Sequence, residues 1–178
     1  DGQGWTIEDC DFSDNFHDPE YGWGENGRRG GIVLERCKDC RLSRNRANRV
    51  WDGCVLLHSS NNKLNENDFS HTSNTCLKLW KASGNEIIDN KLTHGIRITP
   101  GEVHARDSTG VLIESGSNHN RLISNDCTYG GDGILVGVLK EGGGREINSE
   151  AMIFCFGTTK GLGCWDRRSG GRRGGKGV

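Results

Sequence analysis

Between Gly30 and Gly95 short apolar runs alternate with polar turns, and the alternation itself repeats. Three copies follow one another: Gly30–Trp51, Asp52–Ser73 and Asn74–Gly95. Each holds a short apolar run, a polar turn and an apolar-x-x-Asn-x-apolar signature. The signatures are Leu42-Ser-Arg-Asn45-Arg-Ala47, Leu64-Asn-Glu-Asn67-Asp-Phe69 and Ile87-Ile-Asp-Asn90-Lys-Leu92. Their asparagines lie 22 and then 23 residues apart. Leu122-Ile-Ser-Asn125-Asp-Cys127 repeats the signature 35 residues later, one period plus an insertion. Ile7-Glu-Asp-Cys10-Asp-Phe12 repeats it 35 residues before Asn45, with Cys10 in the Asn position. A unit this short cannot bury its apolar stripe alone. Stacked on its neighbours it can, so the pattern predicts a solenoid of β coils.

Counting back from each Asn aligns the apolar runs. Ile32, Cys54, Leu77, Val111 and Ile134 form one inward column, and Leu34, Leu56, Leu79, Ile113 and Val136 a second. Side chains alternate faces along a strand, so Val33, Val55, Lys78, Leu112 and Leu135 point outward. The opposite register would bury an unpaired Lys78 ammonium, which is too costly. The asparagines then stack at the bends, each amide bonding its counterpart about 4.8 Å along the axis. Their role is structural. His71 and His94 fall at related places after the Phe69 and Leu92 positions, and Tyr129 in a later turn. His58 and Trp80 close their strands. Coil equivalence turns such positions into axial rows, here a row of His, Trp and Lys.

Insertions break the period and must project from the stack. Residues 13–29 carry His17, Asp18, Glu20, Tyr21, Trp23 and Glu25. Exposed aromatics beside carboxylates suit sugar stacking and hydroxyl hydrogen bonds. Gly95–Ile98 reads as a further coil strand with Arg97 outward. Residues 99–108 then hold Glu102, His104, Arg106 and Asp107, the densest ionisable cluster in the chain, after a Pro100-Gly101 turn signal. Insertions in solenoids often form the binding face. The expected organisation is a repeat block over 1–140, an irregular final coil over 141–159 and a Gly/Arg tail over 160–178. That tail, with six basic residues and one acid, is expected to be disordered.

Composition adjusts this picture only slightly. Hydrophobic residues make up 32% of the 178, with 28 Gly and 2 Pro, a balance that suits thin inner stripes rather than a thick core. Net charge is −1, which implies no general attraction to nucleic acid or anionic membrane. No apolar run approaches the roughly 20 residues of a membrane span. The chain opens at Asp1 almost directly in a repeat, as a segment of a longer solenoid or a processed product would. Cys10 replaces a ladder Asn, and Cys54 and Cys127 stand in apolar columns, as small buried hydrophobes do. Cys37-Lys-Asp-Cys40 has the spacing of half a zinc site, but no second close pair follows it, so a turn without metal is expected.

The Gly-apolar-x-apolar strands and apolar-x-x-Asn-x-apolar signatures resemble the repeats of the pectate-lyase-like superfamily over about residues 2–139. The resemblance extends to the NosD-like group and to carbohydrate-binding and sugar-hydrolase repeat proteins. It implies an all-β fold, a right-handed, single-stranded parallel β-helix of about six coils. It also implies a secreted, periplasmic or surface location and a polysaccharide partner. Fold alone does not select the activity. The Asp-Pro-His-Asp motif of alginate epimerases is absent, and His17-Asp-Pro-Glu20 only echoes it. No carboxylates pair at the spacing a glycosidase needs.

A lyase is then the least excluded enzyme. β-Elimination needs a base, a cation at the enolate and an acid for the leaving oxygen. The resemblance makes Lys78, Arg97, His104 and Arg106 the catalytic candidates. Glu102 and Asp107 would hold a cation, calcium by analogy, and Trp80, Trp23 and Tyr21 would stack sugar rings. The expected ligand is an acidic polysaccharide, bound by a monomer. The rival is a non-catalytic carbohydrate-binding or structural module. Metal delivery, as in the NosD group, ranks last, because Met152 is the sole methionine and the six histidines are scattered.

Overall fold

The computed structural model describes residues 1–15, 30–99, 102–104, 108–139, 145–146 and 154–156. These form short strands and no helix. In chain order they are β1 (Gly2–Gln3), β2 (Thr6–Glu8), β3 (Ile32–Glu35), β4 (Cys37–Lys38), β5 (Arg41–Ser43), β6 (Asp52–Leu57), β7 (Lys63–Asn65), β8 (Thr75–Trp80) and β9 (Glu86–Ile88). There follow β10 (Arg97–Thr99), β11 (Glu102–His104), β12 (Thr109–Glu114), β13 (Arg121–Ile123), β14 (Asp132–Val136), β15 (Val138–Leu139), β16 (Arg145–Glu146) and β17 (Phe154–Phe156). Two parallel sheets dominate. One runs β14-β12-β8-β6-β3 and the other β17-β13-β9-β7-β5-β2. Every neighbour within them is a coil away in sequence, so the fold is the expected parallel β-helix. No helix among the described residues is long and apolar enough to cross a membrane.

The register matches the predicted columns. Ile32 pairs with Cys54, Cys54 with Leu77, Leu77 with Val111, and Val111 with Ile134. Leu34, Leu56, Leu79 and Ile113 pair likewise and join the same buried cluster. Val136 keeps its place opposite Ile113 but is 39% exposed. Among the described residues its strand β14 is the edge of the sheet, with a neighbour on one side only. Val55 departs in the other direction: it lies outside the core cluster, yet it is buried.

Two asparagine ladders stitch the coils. The expected one runs Asn45, Asn67, Asn90, Asn125. Asn67 Nδ2 donates to Asn90 Oδ1 at 2.9 Å and to the Leu42 carbonyl at 3.0 Å. Its own Oδ1 accepts from Asn45 N and Nδ2, both at 3.0 Å. Cys10 heads this ladder and donates its N–H to Asn45 Oδ1. A second ladder runs Cys40, Asn62, Asn85, Asn120 with the same bonding.

The corners explain how a polar sequence turns so sharply. Among the described residues, the seventeen non-glycine ones with positive φ fall into four axial rows. One is Asp9, Arg44, Glu66, Asp89 and Ser124; another is Asp14, Arg49, His71, His94 and Tyr129. The left-handed conformation costs about 1–2 kcal/mol per residue. Here each corner N–H is used between coils, as in Arg49 N to the His71 carbonyl at 3.0 Å and His71 N to the Thr93 carbonyl at 2.9 Å. On the solvent side of the corners and beside them, charges alternate between the first two coils. Arg36, Arg44, Arg46 and Arg49 of the second coil each grip an aspartate of the first: Asp1, Asp9, Asp11 and Asp14. These pairs are exposed and screened by solvent, so they set register more than stability.

Candidate functional site

Two surfaces interrupt the regular stack. The first is the outward face of the five-stranded sheet at Lys78. Lys78 is opposite Val55 and Leu112, and Trp80 is opposite Leu57 and Glu114. Lys78 Nζ reaches Glu114 Oε1 at 3.1 Å and lies 5.2 Å from the Trp80 ring centroid. The Glu114 side chain is 9% exposed and that of Lys78 22%. A carboxylate that deep needs its cation, and the pairing fixes Lys78 over the indole. Trp80 remains 39% exposed. The patch therefore offers an ammonium with donors to spare beside an open aromatic surface.

Asp52 opens the neighbouring strand β6 and is buried. Asn74 Nδ2 and Thr75 N donate to its Oδ1 at 2.8 and 3.2 Å. Burial nevertheless dominates and pushes its carboxyl above the usual range, against those hydrogen bonds and the nearby Lys78 charge. The folded state thus holds this proton more tightly than the unfolded chain does. Stability from it is present at low pH and is lost as pH rises through the folded value. Asp52→Asn, which keeps an acceptor for both donors, is expected to remove that loss. Urea denaturation from about pH 4 to pH 8 should show the variant gaining on the wild type as pH rises.

The insertion takes a form not expected from sequence. β10 and β11 make an antiparallel hairpin, with Arg97 opposite His104 and Thr99 opposite Glu102. Gly95–Ile98 is thus not a coil strand, and Arg97 is not in the sheet that holds Lys78. The physical reason is pairing: once Ile98 partners Val103, its backbone groups serve the hairpin instead of the parallel ladder. Arg97 and His104 meet as register partners. Arg106 and Asp107 lie outside the described residues, as do Tyr21, Trp23 and the tail, and Glu102 is placed by its backbone alone. His58 does not join Trp80 in one row. β6 ends at Leu57, which pairs with Trp80, and His58 N bonds the Trp80 carbonyl from one residue further on.

The second surface is the corner row Asp14, Arg49, His71, His94, Tyr129. Arg49 clasps Asp14 with two bonds of 2.6 Å. The next step breaks the charge pattern. His71 and His94 stack with ring centroids 4.4 Å apart and 17° between planes, and Tyr129 continues the stack at 5.1 Å. The scattered histidines of the sequence are thus in part a row. Burial lowers the His71 imidazole below its usual range, with His94 and Lys91 acting in the same sense.

Residues 3–147 match the NosD family, described as periplasmic copper-binding protein. The chain belongs to the NosD family. No curated protein and no solved structure matches it. The NosD match agrees with the expected fold and with a periplasmic location among those expected.

The donors in place do not suit copper. Among the described residues no three His, Cys, Asp or Glu side chains come together to hold a metal ion. The His71–His94 pair meets face to face, so its in-plane lone pairs run side by side and do not converge on one ion. Cys54 and Cys76 are fully buried, and burial pushes both thiols up, Cys76 to about 12, whereas a copper ligand must be a thiolate. Cys37 and Cys40 are buried and turn their Sγ atoms toward the Glu35 and Lys38 carbonyls. The described NosD residues do not fit a copper centre.

Proposed function

We propose that this chain is a non-catalytic binding module of the periplasm. It takes an acidic polysaccharide on the outward sheet face at Lys78 and Trp80. The observation that carries this reading is the Lys78–Glu114 pair beside the exposed indole. A uronate ring stacked on Trp80 would bring its carboxylate to the free donors of Lys78. The lyase reading asks Lys78 to act as a base, yet its ammonium is already directed at a carboxylate. For that reason binding without turnover is the better account.

The test is a panel of acidic and neutral polysaccharides. Trp80→Ala is expected to weaken binding of the acidic polymers about tenfold, equivalent to ~1.4 kcal/mol. The double variant Lys78→Met with Glu114→Gln avoids stranding a buried charge. It should lose preference for acidic over neutral polymers while keeping its fold. Equal binding by all three proteins would sink the assignment. Growth of the ultraviolet absorbance of an unsaturated product would show a lyase instead.

A further inference from the structure

We propose that the His71–His94 stack is an acid-sensitive joint at the root of the β10–β11 hairpin, closed when both imidazoles are neutral and opened when both are charged. The inference rests on the corner geometry and not on the polysaccharide reading.

Along the neighbouring axial rows, successive coils meet through opposite charges. Asp11 meets Arg46, Asp68 meets Lys91 at 3.2 Å, and in this same row Asp14 meets Arg49. Such contacts persist across the neutral range, because neither partner titrates there. The His71–His94 step joins two groups that can both become cations between about pH 5 and 7. At 4.4 Å between rings, the second proton enters against the first.

Among the described residues, the charged groups named around the stack supply no uncommitted counter-ion for a second imidazolium. Arg49 precedes His71 in the row, and Lys91 also bears on it. The carboxylate acting on His71 is Asp68, which is already committed to Lys91, Ser70 and Asn48. On the other side, His94 Nδ1 is 3.0 Å from the Thr93 hydroxyl, and Tyr129, a neutral phenol, covers the far ring face. Asp14 is held by Arg49.

The backbone bonds of this corner run directly into the hairpin. His71 and His94 adopt φ of 58° and 57°. Between these two coils the bridge Thr72–Gly95, His71 N to the Thr93 carbonyl and Ile96 N to the Thr72 carbonyl lie beside the rings, and His94 N to the Thr128 carbonyl ties the corner to the next coil. Arg97, the first residue of the hairpin, follows Ile96 directly. Separating the rings would therefore loosen the segment that anchors the hairpin. The sign follows from His71. Its folded form resists the proton that the unfolded form accepts, so local stability is present above about pH 6.5 and lost as pH falls.

The experiment is a histidine-resolved NMR titration together with amide hydrogen exchange. His71 is expected to take up its proton below the usual imidazole range. In His94→Phe that lowering of His71 should diminish, because the His94 charge is gone. Exchange at His71, His94 and Ile96 should quicken about tenfold between roughly pH 7.5 and 5, corrected for intrinsic rate, while Arg44 and Glu66 amides stay unchanged. His94→Phe keeps a ring in the stack without a second charge and should abolish that acid response. An unperturbed His71 titration, or equal acid-induced exchange in His94→Phe, would overturn the proposal. So would loss of both imidazole signals with equimolar copper, which would make the pair a metal seat.

Discussion

Asn67→Ala is expected to lower the unfolding free energy by about 3–5 kcal/mol, a large part of the roughly 5–15 kcal/mol of a typical domain. Asn67 is buried at a bend between two coils. Its Oδ1 accepts the Asn45 backbone N–H and amide, and its Nδ2 donates to Leu42 O and Asn90 Oδ1. Alanine leaves the Asn45 N–H and the Leu42 carbonyl to find other partners where water has no easy access. A stranded buried group costs about 1–3 kcal/mol, and two are at stake, with lost amide packing added. The Asn67 N–H survives the change, because its acceptor is Asn90. Urea denaturation followed by circular dichroism measures the effect. Arg44→Ala, which removes an exposed bidentate pair with Asp9, is the control and should shift the midpoint little. Comparable losses from the two would mean that the ladder is not what holds adjacent coils.

That ladder was readable from sequence because its signature carries flanking apolar residues. The second ladder was equally readable and easily passed over. Asn62-Lys-Leu64, Asn85-Glu-Ile87 and Asn120-Arg-Leu122 all stand five residues ahead of the first ladder's asparagines. Each simply looks like turn polarity until the two are read together. The apolar columns were legible for the same reason as the first ladder: period two within a strand and period 22–23 between coils. Side-chain partners across coils were harder. Glu114 lies far from Lys78 in sequence, and only the register β8 to β12 makes them neighbours.

The hairpin shows where local reading failed. Gly95-Ile-Arg-Ile98 has the apolar alternation of a coil strand, yet Thr99 and Glu102 are partners with only Pro100 and Gly101 between them. A two-residue connection flanked by alternating residues is a hairpin signal. It competed with the solenoid period and, for these residues, prevailed. The placing of His71 and His94 in one axial row was legible by arithmetic. His71, His94 and Tyr129 follow Asn67, Asn90 and Asn125 by four residues each. The ring-on-ring stacking was not legible, because it depends on how the side chains turn at the corner.

Phe69→Ala is expected to cost about 3–5 kcal/mol and to change how the molecule unfolds. Phe69 is fully buried, the largest such side chain, in a column with Ala47, Leu92 and Cys127. A Cβ built on Gly53 would lie 2.7 Å from the Phe69 Cβ, so backbone approaches that side chain closely. The walls around the ring are coils tied by ladders and sheet bonds on both sides, which restrains collapse into a cavity. Phe69→Leu should cost less, under about 1.5 kcal/mol, because the column already accepts leucine at Leu92. In a solenoid each coil touches only its neighbours, so a lesion in a central coil weakens the coupling between the two ends. Unfolding of Phe69→Ala should therefore broaden, with a smaller urea dependence than the wild type. Hydrogen exchange should then separate the amides before Asn45 from those after Asn90. A sharp transition at an unchanged midpoint would mean that the column relaxes around alanine and that the coils do not depend on this ring.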